Sequence, residues 1–278
     1  MKNTLDSLLP IRDIVQKYGI NADKKLGQNF LFDLNLTDKI ARSAGNLKDV
    51  QVLEIGPGPG ALTRSLLKAG AIVTAIEMDK KCVNALESSL MPAAEGRLKI
   101  ISGDALDIRT YANLPPKMMV VANLPYNIST ALLTMWLDRL ESFSGFTLMF
   151  QKEVADRIMS APNSKDYGRL SVKVQWVCDT GHEFDIPPTA FFPPPKVTSS
   201  VITITPLAEK RAEANVETLE RLCKAVFGQR RKTLRVSLKQ ISDNPVALLQ
   251  KVGIDDNRRP EQLSVEEFCA LARAIDEK

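Results

Sequence analysis

The sequence predicts an α/β fold: a parallel, doubly wound sheet through about residue 205, then a small all-helical domain over 206–278. Three observations carry that expectation. Short apolar runs alternate with stretches of helical period through the first half of the chain, the pattern of strand–helix–strand units. The first run ends in a glycine cluster, Glu54-Ile-Gly-Pro-Gly-Pro-Gly60. From Pro206 onward no strand pattern is evident.

Residues 50–55 form a buried strand by length and flanks. Residues 63–69 are helical and stop at Gly70. Residues 71–77 make a second strand, and Asp79 caps a helix running to Leu90. Residues 98–101 and 118–122 are the third and fourth strands, the latter ending at Asn123. A helix follows over 129–140, then a strand over 146–150 and a helix from about Lys152 to Met159. Two longer alternating, β-branched runs, 170–177 and 197–204, read as antiparallel strands at one side of the sheet. Between them lies Ile186-Pro-Pro-Thr-Ala-Phe-Phe-Pro-Pro-Pro-Lys196, whose five prolines forbid a helix or a central strand. His182, in Asp179-Thr-Gly-His-Glu-Phe, reads as a turn residue without a role. Residues 217–241, 245–252 and 265–275 are helical, punctuated by Gly253 and Pro260.

Composition narrows the chemistry. The 278 residues are 44% hydrophobic, enough for a packed core. A net charge of +4 permits an anionic partner without demanding one. Cys82, Cys178, Cys223 and Cys269 form no CxxC pair, so no metal site or disulfide framework is expected. A single histidine leaves no Ser-His-Asp triad. No signal segment and no run of about 18 apolar residues occurs, so a cytoplasmic protein is expected.

The glycine cluster has the spacing GxGxG rather than the dinucleotide GxGxxG, and it lacks a P-loop ending. Such a turn, around Gly56 and Gly58, suits a cofactor without phosphate, such as S-adenosyl-L-methionine, with S-adenosyl-L-homocysteine as product. Glu77 ends the second strand, 21 residues after Gly56, where a carboxylate can accept both ribose hydroxyl protons. Gly103-Asp104-Ala105 follows the third strand, where Asp104 can accept from the adenine amino group. Either acid can equally be a helix cap or a solvated charge.

Asn123-Leu-Pro-Tyr126 follows the fourth strand. The N6 amine of adenine is a poor nucleophile because its lone pair is delocalised into the ring. The Asn123 side-chain carbonyl can accept one N–H and the Leu124 backbone carbonyl the other. Pro125 stiffens the turn, and Tyr126 offers a stacking face for an extruded base, worth about 1–3 kcal/mol. No strong general base is then needed. The alternative is a plain strand-to-loop turn with a packed tyrosine.

With these motifs in order the chain resembles the KsgA/RsmA family of ribosomal RNA small-subunit adenine dimethyltransferases. The shared stretches include Lys25-Leu-Gly-Gln-Asn-Phe-Leu31, the Glu54–Gly60 turn, Glu77, Gly103-Asp104-Ala105-Leu106 and Asn123–Tyr126. They continue with Phe150-Gln-Lys-Glu-Val-Ala-Asp-Arg157, Phe192-Pro-Pro-Pro-Lys-Val-Thr-Ser199 and Phe227-Gly-Gln-Arg-Arg-Lys-Thr-Leu-Arg235. The resemblance implies a Rossmann-like class I methyltransferase sheet of seven strands, carrying the cofactor and the catalysis over 1–205. It implies that Asn29 and Leu31 line the cofactor site with Gly56, Glu77, Asp104 and Asn123, beside Gly58 and Ala105. It implies two adjacent adenosines near the 3′ end of 16S ribosomal RNA as substrate, each dimethylated within an assembling 30S particle by a monomer. The extra proline after Phe192 leaves open whether Phe191 or Phe192 packs beside the flipped base.

From Lys224 through Lys239, both included, there are six basic residues and no acid. On one continuous helix Arg231, Arg235 and Lys239 would share a face, and with Arg230 they suit an RNA backbone read by shape. Lys24 and Lys25 would extend the track. A solvated helix face is the ordinary alternative. Three other functions share features with this chain. A nicotinamide-dependent dehydrogenase would use the glycine turn and Glu77 but has no use for Asn123–Tyr126. A cofactor-binding assembly factor would keep the pockets without turnover. A large-subunit adenine methylase of the Erm type would share the core chemistry, and only the basic C-terminal motif of the resemblance separates it.

Overall fold

The computed structural model describes residues 4–23 and 27–277; Lys24 and Lys25 lie outside the described residues. The strands are β1 (Phe30–Leu31), β2 (Gln51–Ile55), β3 (Ile72–Glu77), β4 (Leu98–Ser102), β5 (Met118–Asn123), β6 (Phe143–Gln151), β7 (Cys178–Ile186), β8 (Phe191–Phe192) and β9 (Ser199–Pro206). Seven of them form one sheet in the order β4-β3-β2-β5-β6-β9-β7, and β1 pairs with β8. The strands from β2 to β6 run parallel, and β9 lies antiparallel to β6.

Helical crossovers cover both faces of the parallel strands, which is why β2 is apolar on both sides: Val52, Leu53 and Ile55 are all buried. Helices Leu34–Ser43 and Ala61–Lys68 contribute Ile40, Ala41, Leu66 and Leu67 to the same core. Asp79 caps helix Lys80–Ala85 by accepting from the Lys81 N–H, as its position after β3 predicts.

The chain divides into two compact units. One comprises Met1–Ala155 and Gly181–Thr205, the other Asp156–Thr180 and Pro206–Lys278. The boundary expected at 205 therefore misses one segment, because residues 156–180 join the helical unit. The reason lies in the run 170–177, expected as a strand but folded as helix Arg169–Val177. Its alternating β-branched residues also place Val172 and Trp176 four apart on one helical face, and both enter the core of the second unit. Ser171 closes the first turn by accepting from Gly168 N–H at 3.0 Å. The antiparallel strand is instead β7, so His182 sits in a strand, not a turn. Its Nε2 lies 2.8 Å from Asp185, which also accepts from Ser200 Oγ at 2.7 Å and pairs with Lys152 at 3.2 Å. These contacts hold the Asp185 carboxyl down to about 2, led by the Ser200 hydrogen bond.

The expected long helix over 217–241 is also broken. Helix Val216–Gly228 ends at Gln229, whose ψ of 41° leaves the helical range. Thr233, extended, precedes a new short helix, Leu234–Ser237. Arg231 therefore lies in a turn, and Arg231, Arg235 and Lys239 do not share one continuous helical face. Arg230 donates to the Ser164 carbonyl at 3.1 Å and lies 3.9 Å from Glu261, a tie within the second unit. Arg231 and Arg235 are exposed. The proline-rich stretch supplies a single 3-10 turn, Pro188–Ala190, and the short β8.

Candidate active site

The strand order reverses between β2 and β5: β3 and β4 extend one way from β2, β6 the other way from β5. A crevice opens at such a point beyond the carboxyl ends of the strands. The turn after β2 and the Asn123–Tyr126 turn after β5 both enter it. A cavity of about 240 Å³ there is lined by Asn29, Leu31, Gly56, Gly58, Glu77, Asp104, Ala105 and all four residues from Asn123 to Tyr126. The sequence motifs thus meet in one pocket although they are spread over nearly a hundred residues.

The glycine turn is tied to β3. Gly58 N–H donates to Glu77 Oε2 at 3.0 Å, while Met78 and Asp79 N–H donate to Oε1 at 2.9 Å. Glu77 is thereby fixed before any ligand arrives. Gly58 has φ +56°, and a Cβ there would stand 2.9 Å from the Phe30 ring. Only glycine allows both that backbone and that approach, so the turn and β1 close on each other.

Asn123 ends β5 and donates its side-chain Nδ2 to the Asn29 carbonyl at 3.1 Å. One of its two amide N–H donors is used there, which fixes the orientation of the amide and presents Oδ1 as an acceptor at the pocket wall. Tyr126 is oriented by a 2.6 Å hydroxyl contact with Ser199 at the start of β9. Burial pushes its phenol above the usual range. Sequence reasoning did not single out Ser199, because nothing local joins it to Tyr126; the antiparallel return of β9 does.

Glu54 is a second residue the sequence reading passed over. It is 1% exposed, lines the cavity, and its Oε2 has no hydrogen-bond partner. Burial pushes its carboxyl up to about 8; the neighbouring Thr63 hydroxyl works against this and the charge of Glu77 adds to it. Burial likewise raises Glu77, opposed by the Asp79 and Gly58 N–H groups. No lysine or arginine lines the cavity among the described residues. The wall offers carboxyl and amide acceptors and, among those residues, no cation, which suits ribose hydroxyls and a ligand without phosphate better than a pyrophosphate. Its acidic acceptors and glycine cradle fit S-adenosylmethionine on those grounds.

Phe191 and Phe192 do not line the cavity. Phe191 is buried in the core opposite Leu31, and Phe192 is exposed opposite Phe30. Arg230, Arg231 and Arg235 belong to the second unit.

A sequence profile described as ribosomal RNA adenine dimethylase matches residues 19–277. The chain is 53% identical over 277 residues to "Ribosomal RNA small subunit methyltransferase A" of Brucella abortus biovar 1, covering 98% of this chain and 99% of the relative. It is 51% identical over 272 residues to the protein of the same name from Rhodospirillum rubrum, covering 98% and 94%. Among solved structures, a dimethyladenosine transferase from Plasmodium falciparum matches with a TM-score of 0.78 at 25% identity, over 89% of this chain and 98% of that one. The 23S rRNA methyltransferase ErmE matches with a TM-score of 0.68 at 26% identity, over 89% and 100%.

Proposed function

The chain belongs to the ribosomal RNA adenine dimethylase family, and from that membership we propose that it dimethylates N6 of two adjacent adenosines near the 3′ end of 16S ribosomal RNA. The methyl donor in this reading is S-adenosyl-L-methionine, which supplies an electrophilic methyl group on a sulfonium. The substrate is the small-subunit RNA within an assembling 30S particle, met in the cytoplasm by a single chain.

The observation that carries the reading is the Asn123 amide. Its Nδ2 donates to Asn29, which orients the amide so that Oδ1 accepts one N6–H of the target adenine. The Leu124 carbonyl accepts the other, and the two hydrogen bonds draw the nitrogen lone pair out of the ring for the first transfer. One N–H remains to be held for the second, and each transfer releases one N6 proton to solvent. Pro125 fixes the turn that presents the two acceptors. The Tyr126 ring, steered by Ser199, takes the face of the extruded base. Glu77, preorganised by three backbone N–H groups, holds ribose hydroxyls, and Asp104 holds the adenine amine of the cofactor. Asn29, Leu31, Gly56, Gly58 and Ala105 complete the wall. Positioning and electrostatics then supply the rate, with no general base. Arg231 and Arg235 contact RNA phosphates from the second unit, with Arg230 bracing the turn that carries Arg231 through Ser164.

Mass mapping of methylated adenosines in small subunits, incubated with the protein and labelled cofactor, tests the reading. The expected result is two adjacent N6,N6-dimethyladenosines near the 3′ end. Methyl groups placed only in large-subunit RNA, or none transferred, would overturn it.

A further inference from the structure

One cluster in the first unit reaches from the cavity wall to the surface. In the β1–β8 ribbon, Phe30 stands opposite Phe192 and Leu31 opposite Phe191. Side chains alternate across a strand, and the two faces of this ribbon have different fates. Leu31 and Phe191 are buried in the core of the sheet. On the other face Phe30 is buried and lines the cavity, while Phe192 is 56% exposed. Phe32, just past β1, stacks on Phe192 with ring centroids 5.5 Å apart and planes 28° apart. The Arg12 guanidinium sits 5.8 Å from the centre of the Phe32 ring.

An aromatic strip therefore runs from the cavity wall at Phe30 out to an exposed ring at Phe192, with a cation on the stack. Phe192 is the most exposed of the large apolar side chains among the described residues. The ring is not an isolated exposed residue: it stacks on Phe32 and continues through Phe30 to the cavity wall, so it is the outer end of one contiguous aromatic surface. Flat aromatic faces with a neighbouring guanidinium are the chemistry that holds single-stranded bases and their phosphates.

We propose that Phe192, backed by Phe32 and Arg12, is a stacking platform for the unpaired base next to the target adenosine. The inference rests on the RNA-methyltransferase reading and deepens it. Tyr126 takes the base that enters the cavity; Phe192 takes its neighbour outside. The platform holds the strand at a fixed distance from the pocket through the rigid β1–β8 pairing, so it acts on substrate binding and strand register. Arg12 contributes a positive charge to a strand that carries one phosphate per nucleotide.

The test uses the full chain and assembling small subunits under single-turnover conditions. Phe192→Leu keeps an apolar side chain at an exposed position and removes the flat face. Its half-saturating subunit concentration should rise about 5- to 100-fold, the range of one lost base stack, with the loss falling there more than on the saturated rate. Phe192→Tyr should restore the parent value. Binding of S-adenosylhomocysteine, read by calorimetry, should match the parent in both. In Phe192→Trp, a short single-stranded adenosine oligoribonucleotide should quench the new indole emission, and an abasic strand of equal charge should not. A parent that methylates subunits beside a Phe192→Leu variant with unchanged half-saturation overturns the platform alone. Equal quenching by the abasic strand also overturns it. A parent that binds subunits but transfers no methyl group overturns the reading beneath it.

Discussion

Asn123 concentrates the catalytic argument in one side chain. Its two polar ends have separate tasks, the amino end on Asn29 and the carbonyl end in the cavity. Asn123→Ala removes both, and loss of one such transition-state contact typically lowers the rate by about 10²–10³. Single-turnover methyl transfer run beside a subunit-binding assay should show that loss with binding retained, because phosphate contacts dominate affinity. Transfer at the parent rate would sink the acceptor mechanism. Glu54 makes a different prediction. Its carboxyl is raised from 4.5 to about 8 by burial, so below pH 4.5 both folded and unfolded chains hold the proton. Between 4.5 and about 8 the folded chain keeps a proton that the unfolded chain releases. Stability then falls by up to roughly 1.4 kcal/mol per pH unit across that window and levels off above it. Urea unfolding of Glu54→Gln should show a shallower slope, the part due to the raised Glu77 remaining, and an unchanged slope would mean that Glu54 does not contribute. The place of Asn123 in the cavity was legible because the tetrapeptide stands directly after a strand that the local pattern reveals. Glu54 was not, because its protonation depends on burial that only the closed sheet supplies.

At the level of elements, legibility followed how local the determining interaction was. The strands β2 to β6 and the Asp79 cap could be read because each announces itself within a few residues. Helix Arg169–Val177 could not, since alternation at that length serves a strand or a helix equally, and packing of Val172 and Trp176 decided it. The basic segment failed for a subtler reason. Its composition favours a continuous helix, but the break after Gly228 and the extended Thr233 turn Arg231 out of register with Arg235. Both remain exposed, so the electrostatic expectation outlives the geometric one. Arg231→Ala with Arg235→Ala should reduce the salt slope of subunit binding by about 1.4 to 1.8, leaving cofactor affinity intact. Filter binding across a salt series checks this, and a parent-like slope would return both arginines to the solvent.

For the whole molecule, the pocket and its wall belong to one unit, whereas the exposed arginines belong to the other. The second unit is discontinuous: the chain leaves the first at Ala155, returns at Gly181 and departs finally at Thr205. A chain cut after Thr205 would retain every residue of the cavity. It would also strand Val172 and Trp176, whose core partners include Leu222, Val226 and Phe268. Such a truncation should bind S-adenosylhomocysteine only weakly or aggregate, and excising residues 156–180 as well should recover solubility. Equal solubility of both forms would show that the segment folds without its partners. The same discontinuity gives the molecule a history as it is made. A chain growing from its amino end completes the cavity's residues early, while the 156–180 insert waits, its apolar face uncovered, until the segment from Pro206 onward emerges. At an elongation pace of about 5–20 residues per second, that wait lasts on the order of several seconds. During it the nascent protein displays an apolar segment of its own, a natural handle for a chaperone and a reason for its maker to finish quickly.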